Sequence, residues 1–240
     1  MTVYGYHEQP DVLEFDTEVV DSRPGAIMLA RSLLHPGGGG QVSDRARVTF
    51  GNGVAAIVDV SLEAGRYWHV LDSVLEVSGP VHVTIDSAHR LRVAQLHTDT
   101  HILNALVFRH FDGALVTGAQ IAADGTARMD FDLPEVDNDA LRRLEPELNE
   151  VIRAALPVQA SYVSAAEASA TPGLIRSAAV APPPTADGRI RIIEIEGLDR
   201  QACGGTHLSN TAESGAVRIV KVENKGRHNR RIRLALANPA

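Results

Sequence analysis

Hydrophobic and polar positions divide the chain into two differently patterned stretches. Between residues 13 and 86 the segments LEFDTEVVDS, GAIMLARSLL, RARVTF, VAAIVDV, RYWHVLDSVLEV and PVHVTID are short and partly alternating. They are rich in β-branched residues, and Gly, Asn, Asp or Pro separates them. That pattern predicts a small antiparallel β-barrel or sandwich. At Asp86 and Ser87, both able to cap a helix, the period changes. The segment AHRLRVAQLHTDTHILNALVFRHF carries its leucines at helical spacing, without Gly or Pro. Beyond it, ARMDFDL, VQASYVS, RIRIIEI, AVRIVKVE and NRRIRLALA predict strands. NDALRRLEPELNEVIRAAL predicts a helix with a break or an offset start at Pro146. The expected organisation is α+β: a small antiparallel β-barrel domain over residues 1–86, then an α+β domain over residues 87–240. The stretch AAVAPPPTADG reads as an exposed connector, and no internal repeat is visible.

Composition narrows the classes. With 240 residues, 44% hydrophobic and 22% charged, the chain can bury a sizeable core. One cysteine cannot form an internal disulfide, and MTVYGYHEQPDV lacks the basic-then-apolar order of a secretory signal, so a cytoplasmic location is expected. Apolar runs such as Val54 to Val58 are far shorter than the roughly 20 residues of a membrane span. Membrane and DNA partners are not expected, and oligomeric state is not encoded in any pattern.

Charge changes the picture again. The net charge is −7, but from Val217 onward seven cations face Glu223 alone, a local balance of +6, which leaves −13 on the preceding residues. An acidic protein with one basic edge can dock phosphates there. A solvated strand face would show the same pattern.

Two histidine-bearing motifs carry the candidate chemistry. In LHTDTH, His97 and His101 stand one helical turn apart, so both imidazoles project from one face with room for a metal between them. Asp99, about 200° around the helix from His97, points away from such a site. A zincin protease is excluded because its general base must directly follow the first histidine, and position 98 is Thr. In QACGGTH, Gly204 and Gly205 allow a tight fold that brings Cys203 and His207 to one point. Three nitrogens and one sulfur suit Zn²⁺. Cys203 as a nucleophile activated by a neighbouring histidine is the alternative. His7, His35, His69, His82, His89, His110 and His228 have no partner at metal-like spacing and read as surface or half-buried residues without a role. HPGGGGQVSD lacks both the Lys-Ser/Thr of a P-loop and a GxGxxG pattern. Its four glycines form either a flexible turn or a place where backbone amides approach a ligand beside Gln41.

These elements together, GGGGQVSD, LHTDTHIL, ARMDFD, CGGTH and AVRIVKVENKGRHNRRIRLAL, occur in an order and spacing that resembles the freestanding alanyl-tRNA editing proteins of the AlaX family. They are also similar to the editing domain of alanyl-tRNA synthetase. The resemblance covers roughly residues 10–237, and with its glycine motif and its length the chain looks like the medium type. It implies a glycine-motif β-barrel followed by a zinc-containing editing domain that removes serine, and also glycine, wrongly attached to alanine tRNA. By that resemblance His97, His101, Cys203 and His207 match the metal positions, and Gln41 matches a glutamine near the editing pocket. Two departures stand out: Asp99 where the family has a small residue, and Ala46 where it has a glycine, the latter bearing on a local turn.

The inventory suits ester hydrolysis. An aminoacyl ester is already activated, so its removal needs a positioned water and help for the developing oxyanion. A zinc with an open position supplies both. His97, His101 and Cys203 are expected as firm ligands and His207 as the exchangeable one. Thr98, Thr100 and Gln41 are the candidates for the substrate hydroxyl, since a pocket that hydrogen-bonds a hydroxyl rejects the analogue lacking it. Lys225, Arg227, Arg230, Arg231 and Arg233 are the candidates for tRNA phosphates, with Arg231 and Arg233 on one face of the terminal strand. Two other readings use the same residues: a zinc hydrolase of a small ester or amide, and a noncatalytic tRNA-binding module with structural zinc.

Overall fold

Alternation in the first stretch closes into a barrel. The computed structural model describes residues 3–176, 185 and 187–237, so most of the expected connector AAVAPPPTADG lies outside the described residues. Its backbone falls into two compact units. The first, Met1–Gly38 with Val42–Leu91, contains eight strands: β1 (Val3–Tyr4), β2 (Glu14–Arg23), β3 (Ala26–Leu29), β4 (Arg31–Ser32), β5 (Ala46–Phe50), β6 (Gly53–Glu63), β7 (Arg66–Leu71) and β8 (Gly79–Ile85). Six of them form a closed barrel in the order β2-β3-β7-β6-β5-β8, every pair antiparallel. Inward positions such as Phe15, Ile27, Val48, Ile57 and Val83 fill it.

Three sequence expectations change here. The strand read through RYWHVLDSVLEV stops at Leu71, because the Asp72 carboxylate accepts from the Ala56 N–H and the chain turns, leaving Val74 exposed. Ala46 lies within β5 with its side chain inward, not in a turn. His35, His69 and His89 are fully buried rather than half-buried. His69 sits between Ser32 Oγ and the Ile27 carbonyl, and burial lowers its pKa to about 4, so it packs as a neutral ring.

The second unit comprises Gly39–Gln41 and Arg92–Ala240. Its elements are α1 (Ser87–His110, entering from the first unit), β9 (Val116–Ile121), β10 (Thr126–Asp132), α2 (Asn138–Arg142), α3 (Leu144–Arg153), β11 (Val158–Ser164), α4 (Ala165–Ala170), β12 (Arg189–Ile195), β13 (Asp199–Ala202), β14 (Val217–Lys225) and β15 (Asn229–Leu236). Asp86 caps α1 through the His89 N–H. The predicted long helix divides into α2 and α3 at Arg143, and Pro146 falls in the first turn of α3, where a missing N–H leaves no partner wanting. One antiparallel sheet runs β14-β15-β10-β9, another β11-β12-β13. In β10 and β15 alternate residues are buried: Ala127, Met129 and Phe131 with Ile232, Leu234 and Leu236. From Val93 to Val107 nearly all of α1 is buried, including its polar residues. A helix inside a unit rather than on its surface needs partners for those polar groups.

Candidate metal centre

Four residues from two distant segments meet in the second unit. His97 and His101 project from one face of α1, and Cys203 and His207 come from the loop after β13. Their ligand atoms, one from each residue, all lie within 4.8 Å of one another. Cys203 Sγ is 3.3 Å from Nε2 of His97 and 3.3 Å from Nε2 of His207. Zinc bond lengths of about 2.0 Å to nitrogen and 2.3 Å to sulfur give separations of about 3.3 Å between nitrogens and about 3.5 Å between nitrogen and sulfur around a tetrahedron.

What suits the cluster to a metal better than to a packed group is the fate of the other ring nitrogens. His97 Nδ1 lies 2.7 Å from Gln41 Oε1, His101 Nδ1 lies 3.0 Å from Asp199 Oδ2, and His207 Nδ1 lies 3.3 Å from Thr98 Oγ1. The Gln41 and Asp199 oxygens accept from an Nδ1–H, and Thr98 Oγ1 is placed to do the same, an arrangement that turns all three Nε2 atoms toward the cysteine and frees their lone pairs once a metal displaces any proton there. Without a metal, a proton on His101 stands in its place. Burial opposes a charge on Cys203, but His97 and His207, with hydrogen bonds from His101 and His207, outweigh it and hold the thiol well below its usual pKa. Burial likewise opposes charge on His101, yet Asp199 and the sulfur raise it to about 10. His207 is lowered, first by burial and then by His97. A thiolate among imidazoles is the form in which a soft metal is bound.

Around these four stand residues that no motif marks. Asp199 also accepts from Gln201 Nε2 at 2.7 Å and lies 3.0 Å from the Arg176 guanidinium, which stacks on Phe108. Gln201 accepts from Asn104 on α1. Arg191, buried on β12, donates to the carbonyls of Cys203 and Gly205 and so clamps the turn between them. One signal for part of this set is present in the sequence: Asp199, Gln201 and Cys203 alternate along β13 and beyond it, which puts them on one side of the strand.

The glycine run has a structural reason. Gly37 to Gly40 all have positive φ, and a Cβ on Gly40 would stand 2.6 Å from the Ala119 carbonyl oxygen. Gly40 can therefore accept from the Ile121 N–H at the edge of β9, which delivers Gln41 to the centre. There Gln41 Oε1 accepts from both His97 Nδ1–H and the Thr206 N–H, while its amide donates to Thr206 Oγ1.

Several expected site residues do something else. Thr100 donates to the His97 carbonyl one turn back, so its hydroxyl is not turned to a substrate. Asp99 points away, as the helix geometry requires, and accepts from Ser214; burial raises its pKa to about 7. Two of the five residues expected to meet phosphates are committed to the fold. Arg230 is on the buried face of β15 and donates to the Val136 carbonyl. Arg231 faces Asp130 directly across the β10–β15 pair and holds it through two hydrogen bonds of 2.6 and 2.7 Å. Lys225 and Arg227 are exposed at the β14–β15 turn, and Arg233 pairs with Glu223.

Comparison with known proteins adds a family context. Residues 190–233, which include Cys203 and His207, match the model described as the threonyl and alanyl tRNA synthetase second additional domain. A protein of Saccharolobus solfataricus named alanyl-tRNA editing protein AlaX-M is 34% identical over 97% of this chain and 98% of its own. Another of the same name, from Methanosarcina barkeri, is 34% identical over 88% of this chain and 89% of its own. An alanine–tRNA ligase of Methanococcus maripaludis is 29% identical over 91% of this chain, which spans 24% of that ligase.

Proposed function

Because the chain belongs to the AlaX-M group of alanyl-tRNA editing proteins, we propose that it is a zinc-dependent hydrolase that deacylates alanine tRNA mischarged with serine. The observation that carries this reading is the convergence of three anchored imidazoles on one thiol. In this assignment residues 1–86 are a glycine-motif barrel and residues 87–240 the editing domain. The protein acts in the cytoplasm, whose reducing conditions preserve a thiol ligand. Among the described residues no helix is long and apolar enough to cross a membrane.

His97, His101 and Cys203 are the firm ligands, all buried, and half-buried His207 with its longer second contact is the one that exchanges. When bound, zinc supplies Lewis acidity toward water or an ester carbonyl. Gln41 and Asp199 orient His97 and His101, and Arg191 fixes the backbone that presents Cys203. Two donors stay uncommitted for a serine hydroxyl: the second amide hydrogen of Gln41 and the hydroxyl hydrogen of Thr98, whose oxygen already accepts from the Leu208 N–H. A second reading, in which all four residues close around a structural metal, is favoured by the completeness of the donor set.

Purified zinc-loaded protein is expected to release serine from alanine tRNA at least about 100-fold faster than it releases alanine, since a hydroxyl-bonding pocket can discriminate by about 10⁴- to 10⁵-fold. Equal rates on both esters rule out editing, since such an enzyme destroys the correct product. No turnover of either ester, with metal bound, supports the structural reading.

A further inference from the structure

The exposed face of the four-stranded sheet carries an arrangement that folding alone does not favour. Register places Lys221 of β14 opposite Arg233 of β15, and Arg233 opposite Arg128 of β10. Three cations thus stand side by side across three adjacent strands, about 5 Å apart at the backbone. Like charges directly opposite each other destabilise a sheet. Arg218, opposite Ala235, extends the same face. The neighbouring row holds Glu223, Arg231 and Asp130, and these two carboxylates serve four of the cations: Glu223 pairs with Lys221 and Arg233, Asp130 with Arg128 and Arg231. With exposed Asp132 and Lys225 in the next row, six cations against three carboxylates leave the face positive, in a protein whose acids outnumber its bases 30 to 23.

We propose that this cationic row docks the phosphate backbone of tRNA. The inference rests on the editing reading above and replaces Arg230 and Arg231 as docking groups with Arg218, Lys221, Arg128 and Arg233. A line of fixed cations fits a line of phosphates, and binding relieves the repulsion that the unoccupied row bears. Glu223 and Asp130 fix the cations laterally without neutralising them. Lys221, exposed over 61% of its side chain, and Arg233 at 41% have the reach to contact a ligand, whereas Arg231 at 16% is the strut of the network.

The test is a comparison of tRNA affinity over a range of salt. The triple variant Arg218→Gln/Lys221→Gln/Arg233→Gln is expected to bind uncharged alanine tRNA with a log affinity against log salt slope shallower by about 2, since each lost phosphate contact removes about 0.7 to 0.9. Its zinc content, unchanged from wild type, shows that the fold persists. If the triple variant does not fold, Lys221→Gln alone, at an exposed edge position, is expected to lower the slope by about 0.7 to 0.9. A slope equal to wild type in a folded variant overturns the proposal, as does a larger loss from Lys225→Gln/Arg227→Gln at the hairpin turn. Wild-type protein that binds no tRNA but binds vesicles containing phosphatidylserine overturns both this inference and the editing reading. Wild-type binding with an unchanged variant overturns this inference alone.

Discussion

Gly205→Ala is expected to abolish zinc binding as completely as loss of Cys203 itself. A Cβ at position 205 would stand 2.1 Å from Cε1 and 2.3 Å from Nδ1 of His97, and 2.4 Å from Gln41 Oε1. Neither neighbour can withdraw. His97 is fixed on a buried helix and bonded to Gln41, and Gln41 is bonded to both the N–H and the hydroxyl of Thr206. The added methyl must therefore push the Cys203–His207 turn away from α1 and separate the two ligand pairs. Gly204→Ala is the matched control, because a Cβ there meets no described atom within 4 Å. Metal analysis after dialysis checks the pair. Zinc retained in Gly205→Ala at the level of Gly204→Ala would mean that the turn and the helix do not share a metal.

The second large effect is expected at Gln41, which enters the centre from a loop more than fifty residues before His97. Gln41→Leu removes the acceptor for His97 Nδ1–H and for the Thr206 N–H, and strips Thr206 Oγ1 of its donor. Each buried polar group left unpaired costs about 1 to 3 kcal/mol, so the unfolding free energy should fall by several kcal/mol. Without a fixed tautomer at His97, zinc affinity should fall about 10- to 100-fold, the usual cost of losing an orienting partner. Gln41→Glu keeps an acceptor for both N–H groups and lets the Thr206 hydroxyl donate instead, so most of the affinity should return. Competition against a chromophoric chelator measures all three proteins. Affinity in Gln41→Leu within twofold of wild type would reduce Gln41 to a packing role.

Much of the centre was legible because local geometry is written in spacing. HxxxH on a continuous apolar helix fixes two imidazoles on one face, and CGGTH fixes a sulfur and a nitrogen across a tight turn. Barrel strands were legible for the same reason, through alternation. Pairing across long sequence separation was not. Arg231 read as a free cation because its partner, Asp130, lies in another strand 101 positions away, and a charge pattern contains no register. Asp199 and Arg176 carry no motif at all; their meaning comes only from contact with each other and with His101. The bond from the Thr100 hydroxyl back to the His97 carbonyl is equally hidden, because a hydroxyl near two candidate ligands gives no sign in sequence that it will bond along its own helix. The buried histidines of the barrel escaped for a related reason, since a polar residue with internal partners is indistinguishable in sequence from one with solvent.

Whether one metal joins α1 to the turn after β13 is decided by X-ray absorption at the zinc edge of the loaded protein. One sulfur neighbour at about 2.3 Å and imidazole nitrogens at about 2.0 to 2.1 Å are expected, with the sulfur lost in Cys203→Ala. A first shell of oxygen alone, or a sulfur-free shell in the wild-type protein, would contradict a shared metal.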